Sequence, residues 1–337
     1  MSYKKFVTLF FILPFLLIGT IFSLNIIIDP FSITNYNLLD IHYKLARDDR
    51  TEKVERIRKI KQIDNLILGS SRSQHIDPKI LTEYFGGYSY NFGVGGGSSA
   101  DALGILLYLE SQKKLPQNIL LTLDFSTFLG DTLHPSFYKL PELNFLDKNM
   151  QPTSQIAKFL SIDAVRASFK TLKAHLKQTI PNSYFNEEGF MVSRKAKTVD
   201  QKTISKQSHN YVNNIYNNGD FNVSQARLEN VKSIVELCKK HKINLAVTLT
   251  PVYAYQYALI EKNPSFKLKL AKFKTDLAAI SPFYDAMIDN QYVKDIDNFE
   301  DSVHSNERYG HLYLAAIYKN TYPDLIKYHQ STTLMPF

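Results

Sequence analysis

Two short segments, one near each end of the sequence, carry side chains that could act together in acyl transfer. Near the C-terminus, Asp301 precedes His304 by three residues, and a helical pattern follows the pair. Near the N-terminus, the apolar run at 66–68 leads into a Gly-Ser-Ser turn that ends at Ser71. A hydroxyl nucleophile, an imidazole base and a carboxylate that orients the base are the components of serine-based acyl transfer. The residue types and their order therefore favour an enzyme.

The serines after the apolar run have two interpretations. Ser71 would begin the next helical turn, where backbone N–H groups can stabilise an oxyanion. Ser70, Ser71 and Ser73 could instead cap that turn, because a serine hydroxyl satisfies N–H groups that a helix leaves without partners at its start. The sequence pattern leaves both interpretations open.

Three other histidines, His75, His134 and His311, compete with His304 for the role of the base. The carboxylate of Asp301 favours His304, since a spacing of three residues in a helical turn makes two side chains neighbours. The alternative is a coincidental pair in a surface loop, because the chain contains 9 histidines.

The elements that would position these residues alternate between strands and helices. Apolar runs predict strands, and 3.6-residue periodicity predicts helices; the strands are 66–68, 88–92, 119–123 and 243–250, and the helices are 78–84, 100–112, 225–241 and 309–318. This alternation predicts an α/β fold, with a parallel sheet and helices on both faces. Sites in such sheets gather at the carboxyl ends of the strands, which here are 69–71, 91–97, 124–126 and the loop at 301–304.

The glycine run at 93–97 invites a dinucleotide-binding interpretation, which fails on two counts. Ser98 stands where the third glycine of Gly-x-Gly-x-x-Gly belongs, and the run follows the second strand rather than the first. A turn that lets the backbone approach a reacting carbonyl suits the run better, and a plain turn is the alternative. The sequence also lacks the phosphate-binding lysine motif, the zinc-type His-Glu-x-x-His motif and paired cysteines. No cofactor and no metal ion are expected.

The alternation is interrupted between residues 130 and 224. Helical stretches such as 161–179 alternate there with loops rich in Asn, Tyr and Lys. We expect a helical insertion that covers the active edge of a domain at 61–330, and a separate small domain is the alternative. Residues 29–60 are interpreted as a juxtamembrane connector whose second half has helical spacing, with Val54, Ile57, Ile60 and Ile63 on one face.

The first 28 residues predict a transmembrane signal anchor. No charged residue follows Lys5 until Asp29. At roughly 1.5 Å per residue the uncharged run is about 34 Å long, enough to cross a hydrocarbon core of ~30 Å. A cleaved signal peptide is the main alternative, but the run is long for one and lacks an Ala-x-Ala-like site at its end. A buried core helix is the other alternative.

Charge indicates how the chain is oriented and what it contacts. Lys4 and Lys5 place the N-terminus in the cytoplasm and the rest outside the cytoplasmic membrane, on the periplasmic side. The mixed-sign run at 47–61 opposes this assignment weakly. A net charge of +8 favours acidic surroundings such as lipid headgroups or cell-wall polymers. Nucleic acid is not an expected partner, because no basic run interleaves with aromatic residues. A single cysteine, Cys238, permits no intrachain disulfide.

The motifs together resemble the GDSL/SGNH hydrolase superfamily. Gly-x-Ser follows the first strand, Asn-x-Gly-x-x-Gly follows the second, and Asp-x-x-His lies near the C-terminus. The resemblance covers about residues 60–325 apart from the insertion. The N-terminal anchor, the Gly-Ser-Ser turn and the large insertion are most similar to the membrane-anchored branch. That branch includes the D-alanine transfer protein of teichoic acid systems and O-acetyltransferases and esterases of surface polysaccharides.

The resemblance implies an SGNH-like, flavodoxin-like fold and a role for each motif residue. Ser71 would be the nucleophile, His304 the base and Asp301 the acid that orients the base. The backbone N–H groups of Ser71 and Gly96 would form the oxyanion hole. The third block of the family usually supplies an asparagine donor, whereas this chain has Leu-Asp-Phe-Ser at 123–126.

The altered third block leaves several roles open. Ser126 could replace the missing donor, and Asp124 could position the substrate or support the loops. Asn91, the first residue of the second motif, is a further candidate for a supporting role.

The resulting expectation is a membrane-anchored serine esterase or O-acyltransferase that acts on acyl esters of a cell-surface glycan. A surface polysaccharide or another acyl acceptor, and a membrane-bound acyltransferase, are the expected partners. The alternative is a non-catalytic glycan-binding or assembly partner of a membrane acyltransferase that keeps the SGNH-like fold. An intracellular lipase or thioesterase would require the opposite topology.

Overall fold

A mixed sheet of six strands forms the centre of the chain. The computed structural model describes residues 3–31, 33–34, 38–41, 49–144, 159–179, 182–193, 199–217 and 222–331. The strands are β1 (Asn65–Leu68), β2 (Ser89–Asn91), β3 (Asn118–Leu123), β4 (Ser183–Phe185), β5 (Met191–Ser193), β6 (Asn244–Leu249), β7 (Phe283–Asp285) and β8 (Lys327–His329). The main sheet has the order β2-β1-β3-β6-β7-β8, and β4 pairs with β5 separately. Only β8 is antiparallel to its neighbour in the main sheet. The five parallel strands follow the 2-1-3-4-5 order of flavodoxin-like sheets.

Helices cover both faces of this sheet. They are α1 (Tyr3–Ile28), α2 (Asp49–Lys59), α3 (Lys79–Phe85), α4 (Ser99–Ser111), α5 (Ile162–Leu176), α6 (Gln201–Val212), α7 (Gln225–His241), α8 (Ala254–Lys262), α9 (Pro264–Ile280), α10 (Gln291–Lys294) and α11 (Glu307–Tyr318). Successive side chains of a strand point to opposite faces. Leu66 and Leu68 accordingly pack in the core with α2, α4, α7 and α9, whereas Ile67 packs in the core with α3 and α11. The predicted α/β class, with a parallel sheet covered on both faces, is confirmed.

Some elements differ from the sequence-based expectation. The predicted strands and helices of the alternating parts are present with bounds shifted by a few residues, and α7 has the predicted bounds. The elements β7, β8, α8 and α9 were not predicted. Strands of three residues such as β7 and β8 are too short to show alternation. The insertion at 130–224 is not purely helical, because β4 and β5 form an antiparallel pair within it.

The helix α2, predicted as part of a connector, packs into the sheet domain. Val54 and Ile57 lie fully buried in the same core as Leu66 and Leu68. The helical spacing found in the sequence is therefore real, and its apolar face is covered by the sheet. As a result, the charged residues beside that face are buried as well.

The helix α1 has the length and composition to cross a membrane. It contains 26 residues, and its most apolar 18-residue window has a mean hydropathy of 2.4 with none of the window buried. Its C-terminal end differs, because Asn25 and Ile28 are fully buried against the rest of the chain. One such helix in the described residues is consistent with a single-pass membrane anchor.

Candidate active site

The carboxyl ends of the strands bring Ser71, His304 and Asp301 together. His304 Nε2 lies 2.9 Å from Ser71 Oγ, although the two residues are 233 positions apart in the sequence. His304 Nδ1 lies 2.8 Å from Oδ2 of Asp301. A carboxylate at Nδ1 accepts the proton of that nitrogen, and this tautomer leaves Nε2 free to accept the proton of the serine hydroxyl. The three side chains have the geometry of a nucleophile, a base and an orienting acid.

The Asp301 carboxylate is fixed by its own loop. Its Oδ1 accepts hydrogen bonds from the backbone N–H groups of Val303 and His304, each at 2.8 Å. Burial alone would raise the pKa of Asp301, but the hydrogen bond and charge of His304 and the two N–H groups lower the pKa to about 2. The carboxylate is therefore ionised at neutral pH and can stabilise an imidazolium ion at His304.

The turn after β1 separates the three serines by role. Ser70 Oγ accepts a hydrogen bond from the N–H of Arg72 at 3.1 Å and so caps the 3₁₀ turn Ser71–His75. Ser73 Oγ donates to the carbonyl of Ser70 at 2.7 Å and is fully buried. The capping interpretation thus applies to Ser70, Ser73 is a buried donor within the turn, and Ser71 is the serine beside His304.

Gly69 is required where β1 passes β3. A Cβ atom at this position would lie 1.9 Å from the hydroxyl oxygen of Thr122 and 3.0 Å from the carbonyl oxygen of the same residue. A side chain would therefore force the two strands apart at their carboxyl ends. This close approach fixes where the turn that carries Ser71 begins.

The glycine turn 93–97 packs directly against this segment. The N–H of Val94 donates to the carbonyl of Gly69 at 3.1 Å, and a Cβ atom on Gly97 would lie 2.5 Å from the same carbonyl oxygen. Gly96 has φ +59°, in the left-handed region that glycine adopts without strain. Within the described part of the chain, the N–H groups of Ser71 and Gly96 have no hydrogen-bond acceptor. Both groups are therefore available to a ligand.

The helix α2 holds the glycine turn through three charged side chains. Asp49 Oδ2 accepts from the N–H of Gly95 at 2.5 Å, and Arg50 Nη1 donates to the carbonyl of the same residue at 2.7 Å. Lys53 Nζ donates to the carbonyls of Asn91 and Gly93 at 3.0 and 2.5 Å. The turn is therefore held at Gly93 and Gly95 by a helix outside the predicted motifs.

Sequence reasoning missed this helix as part of the site, although a signal was present. Arg50 and Lys53 precede Val54 and Ile57 at helical spacings, so all four lie on one face. Because that face is buried, Arg50 and Lys53 are fully buried too. Arg50 Nε is paired with Asp101 Oδ1 at 2.7 Å. Arg50 and Lys53 thus serve internal contacts.

Asn91 supports the loops and has no surface for a substrate. It is fully buried, and its Nδ2 donates to the carbonyls of Ser73 and Ile76 at 2.7 and 2.8 Å. Its Oδ1 accepts from the N–H of Gly93 at 2.8 Å. Asn91 thus connects the turn that carries Ser71 to the glycine turn.

The other two supporting candidates lie at the end of β3. Asp124 is buried and accepts hydrogen bonds from the hydroxyl groups of Ser70 and Thr250, with Nε of Arg72 3.8 Å away. Its carboxylate therefore supports the loops, which is one of the two roles predicted for it. Ser126 Oγ accepts from the hydroxyl of Tyr211 at 3.1 Å.

A cavity of about 270 Å³ adjoins the Asp-His loop, although Ser71, Asp301 and His304 do not line it. Its lining includes His75, Glu300 and Phe299, which adjoin the Asp-His loop, together with Phe190 and Met191 of the insertion. The ring of His75 is 6.2 Å from that of His304, and its Nδ1 is 3.3 Å from Oε1 of Glu300. The cavity combines an apolar wall with carboxylate and imidazole groups, and it is large enough for part of a substrate.

The rival histidines do not contact Ser71. Burial, and after it the charge of His304, lowers the pKa of His75 to about 4, so His75 is neutral at neutral pH. His134 accepts from the N–H of Ser136 at 3.3 Å, and His311 lies 3.8 Å from Glu307 on α11. His75 is thus a neighbour of the site, and the other two lie outside it.

Replacing Lys53 by methionine is expected to change how thermal stability depends on pH. Burial lowers the pKa of Lys53 from 10.5 to about 7, against smaller opposing effects of Asp49 and Glu52. The unfolded chain therefore binds more protons than the folded chain between these two values, and the wild-type protein gains stability as pH rises through that window. The wild-type melting temperature in detergent, minus that of Lys53→Met, should increase from pH 7 to pH 9.5. The exposed Lys262→Met is the control, and equal pH dependence in all three proteins would contradict the prediction.

In comparisons with known proteins, no protein-family model matches the sequence, and no curated protein is significantly similar to it. Among the described residues, no group of three or more His, Cys, Asp or Glu side chains is placed to hold a metal ion. The resemblance to SGNH hydrolases therefore rests on the motif residues of the sequence and stays a prediction.

Proposed function

We propose that this chain is a membrane-anchored serine esterase or O-acyltransferase that acts on acyl esters of a cell-surface glycan. The observation that supports the proposal most is the hydrogen-bonded series from Ser71 through His304 to Asp301. A serine and a histidine so far apart in sequence meet at 2.9 Å only if the fold directs both to one point. An ionised carboxylate at the second ring nitrogen completes the arrangement that activates a serine hydroxyl.

The proposed reaction proceeds in two steps. Ser71 Oγ attacks the acyl carbonyl carbon while its proton passes to His304 Nε2, and the tetrahedral intermediate collapses when His304 returns that proton to the leaving sugar oxygen. The acyl group is then esterified to Ser71. In the second step a water molecule or an acceptor hydroxyl loses its proton to His304 and attacks this ester, which regenerates the serine. Asp301 stabilises the imidazolium ion formed in each step.

The oxyanion of the tetrahedral intermediates would be stabilised by backbone N–H groups. Ser71 and Gly96 supply these donors in the proposal, and the contacts of Gly95 with Asp49 and Arg50 hold the second donor in place. Fixed donors of this kind cost no reorganisation as negative charge develops. In the third block, Asp124 supplies no donor, because its carboxylate accepts hydrogen bonds from Ser70 and Thr250.

The membrane and glycan parts of the proposal rest on α1 and on charge. The two lysines before the apolar run favour a cytoplasmic N-terminus and a periplasmic catalytic domain. In that location, surface polysaccharides or other acyl acceptors would be within reach, and a membrane-bound acyltransferase could supply the acyl group. Whether water or a sugar hydroxyl accepts the acyl group depends on whether the insertion excludes water and binds an acceptor.

The structural use of Asp124 also favours a second candidate, a non-catalytic partner of a membrane acyltransferase. An oxyanion hole with one donor fewer loses about 3 kcal/mol of transition-state stabilisation, or about two orders of magnitude in rate. A protein that only binds glycan would tolerate this loss. Such a protein would not require Ser71 to be reactive.

Labelling with a fluorophosphonate separates the two candidates. We expect the full-length protein in detergent to be modified on Ser71, because His304 can accept the proton of the attacking hydroxyl. The Ser71→Ala and His304→Ala variants should lose the label, and Ser126→Ala should keep it. An unmodified Ser71 in folded wild-type protein would contradict the enzyme and support the binding partner.

A further inference from the structure

The helix α1 shows where the membrane surface must lie if this helix spans the bilayer. Nearly all side chains of residues 3–20 are exposed, and at 1.5 Å per residue this part is about 27 Å long, close to the ~30 Å of a hydrocarbon core. Asn25 and Ile28, two turns further on, are buried in protein. The bilayer surface next to the sheet domain therefore falls near the last turns of α1.

The residues just before α5 contact α1 near this bilayer surface. The rings of Phe22 and Phe159 pack edge to face with their centroids 6.2 Å apart. Asn25 Nδ2 donates to the carbonyl of Phe159 at 2.6 Å. Ala164 and Ala167 of α5 complete this small cluster with Phe31 and Ile33. The start of α5 is thus held where α1 enters the protein.

The helix α5 has three distinct faces. The face toward the cluster is small and buried, and its residues are Ala164, Ala167, Ser168 and Thr171. A second face is an apolar stripe made of Ile162, Val165, Phe169, Leu172 and Leu176, in which the first, third and fifth side chains are 70, 60 and 74% exposed. The third face is basic and carries Arg166, Lys170 and Lys173, with Lys177 directly after the helix and Asp163 4.0 Å from Arg166. At 100° per residue, the apolar stripe and the basic face adjoin each other.

We propose that α5 lies on the same bilayer that α1 spans, with its apolar stripe in the acyl boundary and its basic face toward anionic lipid headgroups. A helix with an apolar side and a lysine-rich side is the form that binds membrane interfaces. Exposed apolar stripes of this size are unusual on a surface that faces water. The contact with α1 places the start of α5 near the membrane surface, and the basic charges match anionic lipids better than they match a second copy of this basic chain.

This second attachment does not depend on the proposed enzymatic function. A single spanning helix leaves a domain free to rotate about the helix axis, whereas a surface helix packed beside it removes that freedom. The sheet domain would then keep one fixed side toward the bilayer.

Depth-dependent fluorescence quenching tests the proposal on the full chain in vesicles. A bimane label at Phe169→Cys or Leu176→Cys should be quenched several-fold more by brominated acyl chains than a label at Leu268→Cys, a control position on α9 that is 71% exposed. Cys238 is buried and will not compete for the label, because burial raises its pKa to about 12. Circular dichroism verifies that each variant keeps its helices.

Two results would overturn the proposal. The first is quenching at positions 169 and 176 that is no greater than at position 268. The second is a label that is shielded from aqueous iodide only at a high protein-to-lipid ratio and is not quenched by brominated lipid. That result would assign the stripe to a contact with a second copy of the chain.

The role of the basic face is tested by lipid composition. Quenching at position 169 should fall several-fold when phosphatidylglycerol is replaced by phosphatidylcholine, or when Lys170→Glu and Lys173→Glu are combined. The exposed Lys262→Glu is the matched control and should leave quenching unchanged. Quenching that is equal in both lipids and in all variants would overturn the pairing with anionic headgroups.

Discussion

Replacing Ser71 by alanine is expected to lower ester turnover by about four to six orders of magnitude, with the protein still folded. The hydroxyl is the proposed nucleophile, and its only hydrogen-bond partner among the described residues is Nε2 of His304. The side chain contributes little to packing, because Ser71 is partly exposed at the start of its turn. The measurement is kcat/KM for an acyl ester, with the far-UV spectrum and the melting temperature as checks on folding.

The His304→Ala variant should lose a comparable amount of activity. Because the nucleophile and the base act as one unit, the double variant should be only slightly slower than either single variant. Independent roles would instead give effects that multiply. The double-mutant cycle therefore tests whether the 2.9 Å contact is functional or only structural.

Ser70→Ala is the matched control for these variants. It removes a neighbouring hydroxyl that donates a hydrogen bond to Asp124 and accepts one from the N–H of Arg72. We expect Ser70→Ala to lower the melting temperature, since it leaves the buried Asp124 carboxylate with one partner fewer, while Ser71 remains reactive. Near-normal turnover in Ser71→Ala would move the nucleophile to another serine or end the enzyme hypothesis.

Replacing Asp301 by asparagine should lower turnover by about 10⁴-fold, or roughly 5.5 kcal/mol of transition-state stabilisation. The asparagine Oδ1 can still accept from the N–H groups of Val303 and His304, so the loop should keep its shape. Its amide group would then face Nδ1 of His304 as a donor. This favours the tautomer that carries its proton on Nε2, which cannot accept the proton of Ser71. The negative charge that stabilises the imidazolium ion is lost as well.

The control for this variant is Asp276→Asn, at a solvent-facing ion pair with Lys272 on α9. Turnover and melting temperature should remain unchanged in that protein, since an exposed pair contributes little. A small effect of Asp301→Asn on turnover would show that the carboxylate does not orient His304 during the reaction. His304 would then act without an orienting acid.

The sequence contains the information for the alternating elements and for the triad candidates. The run at 66–68, the glycines at 93–97 and the pair at 301 and 304 are local patterns, and each places its residues at the carboxyl end of a strand or in a nearby loop. Because parallel strands share one edge for their carboxyl ends, local patterns were enough to predict that these residues would lie close together. The helix α7 has the predicted bounds because its periodicity extends over several turns.

Other features depend on contacts between distant residues. No pattern near Asp124 indicates that the hydroxyl groups of Ser70 and Thr250 occupy its carboxylate. The strands β7 and β8 are too short to have a recognisable period; β7 pairs with the longer β6, and β8 pairs with β7. In the sequence, the charged run that contains α2 bore only on membrane topology, yet Arg50 and Lys53 lie buried against the glycine turn.

One physical reason explains why some of these features could be predicted from the sequence and others could not. Periodicity along the chain reports which face of a helix or strand avoids water, and this determined the fold class and the edge where Ser71, Asp301 and His304 meet. The partner of a buried polar group is decided by which side chains the completed fold brings within hydrogen-bonding distance. Only the tertiary structure could therefore decide that His304 is the histidine that contacts the Ser71 hydroxyl, that Asp124 supports the loops, and that Lys53 holds the glycine turn.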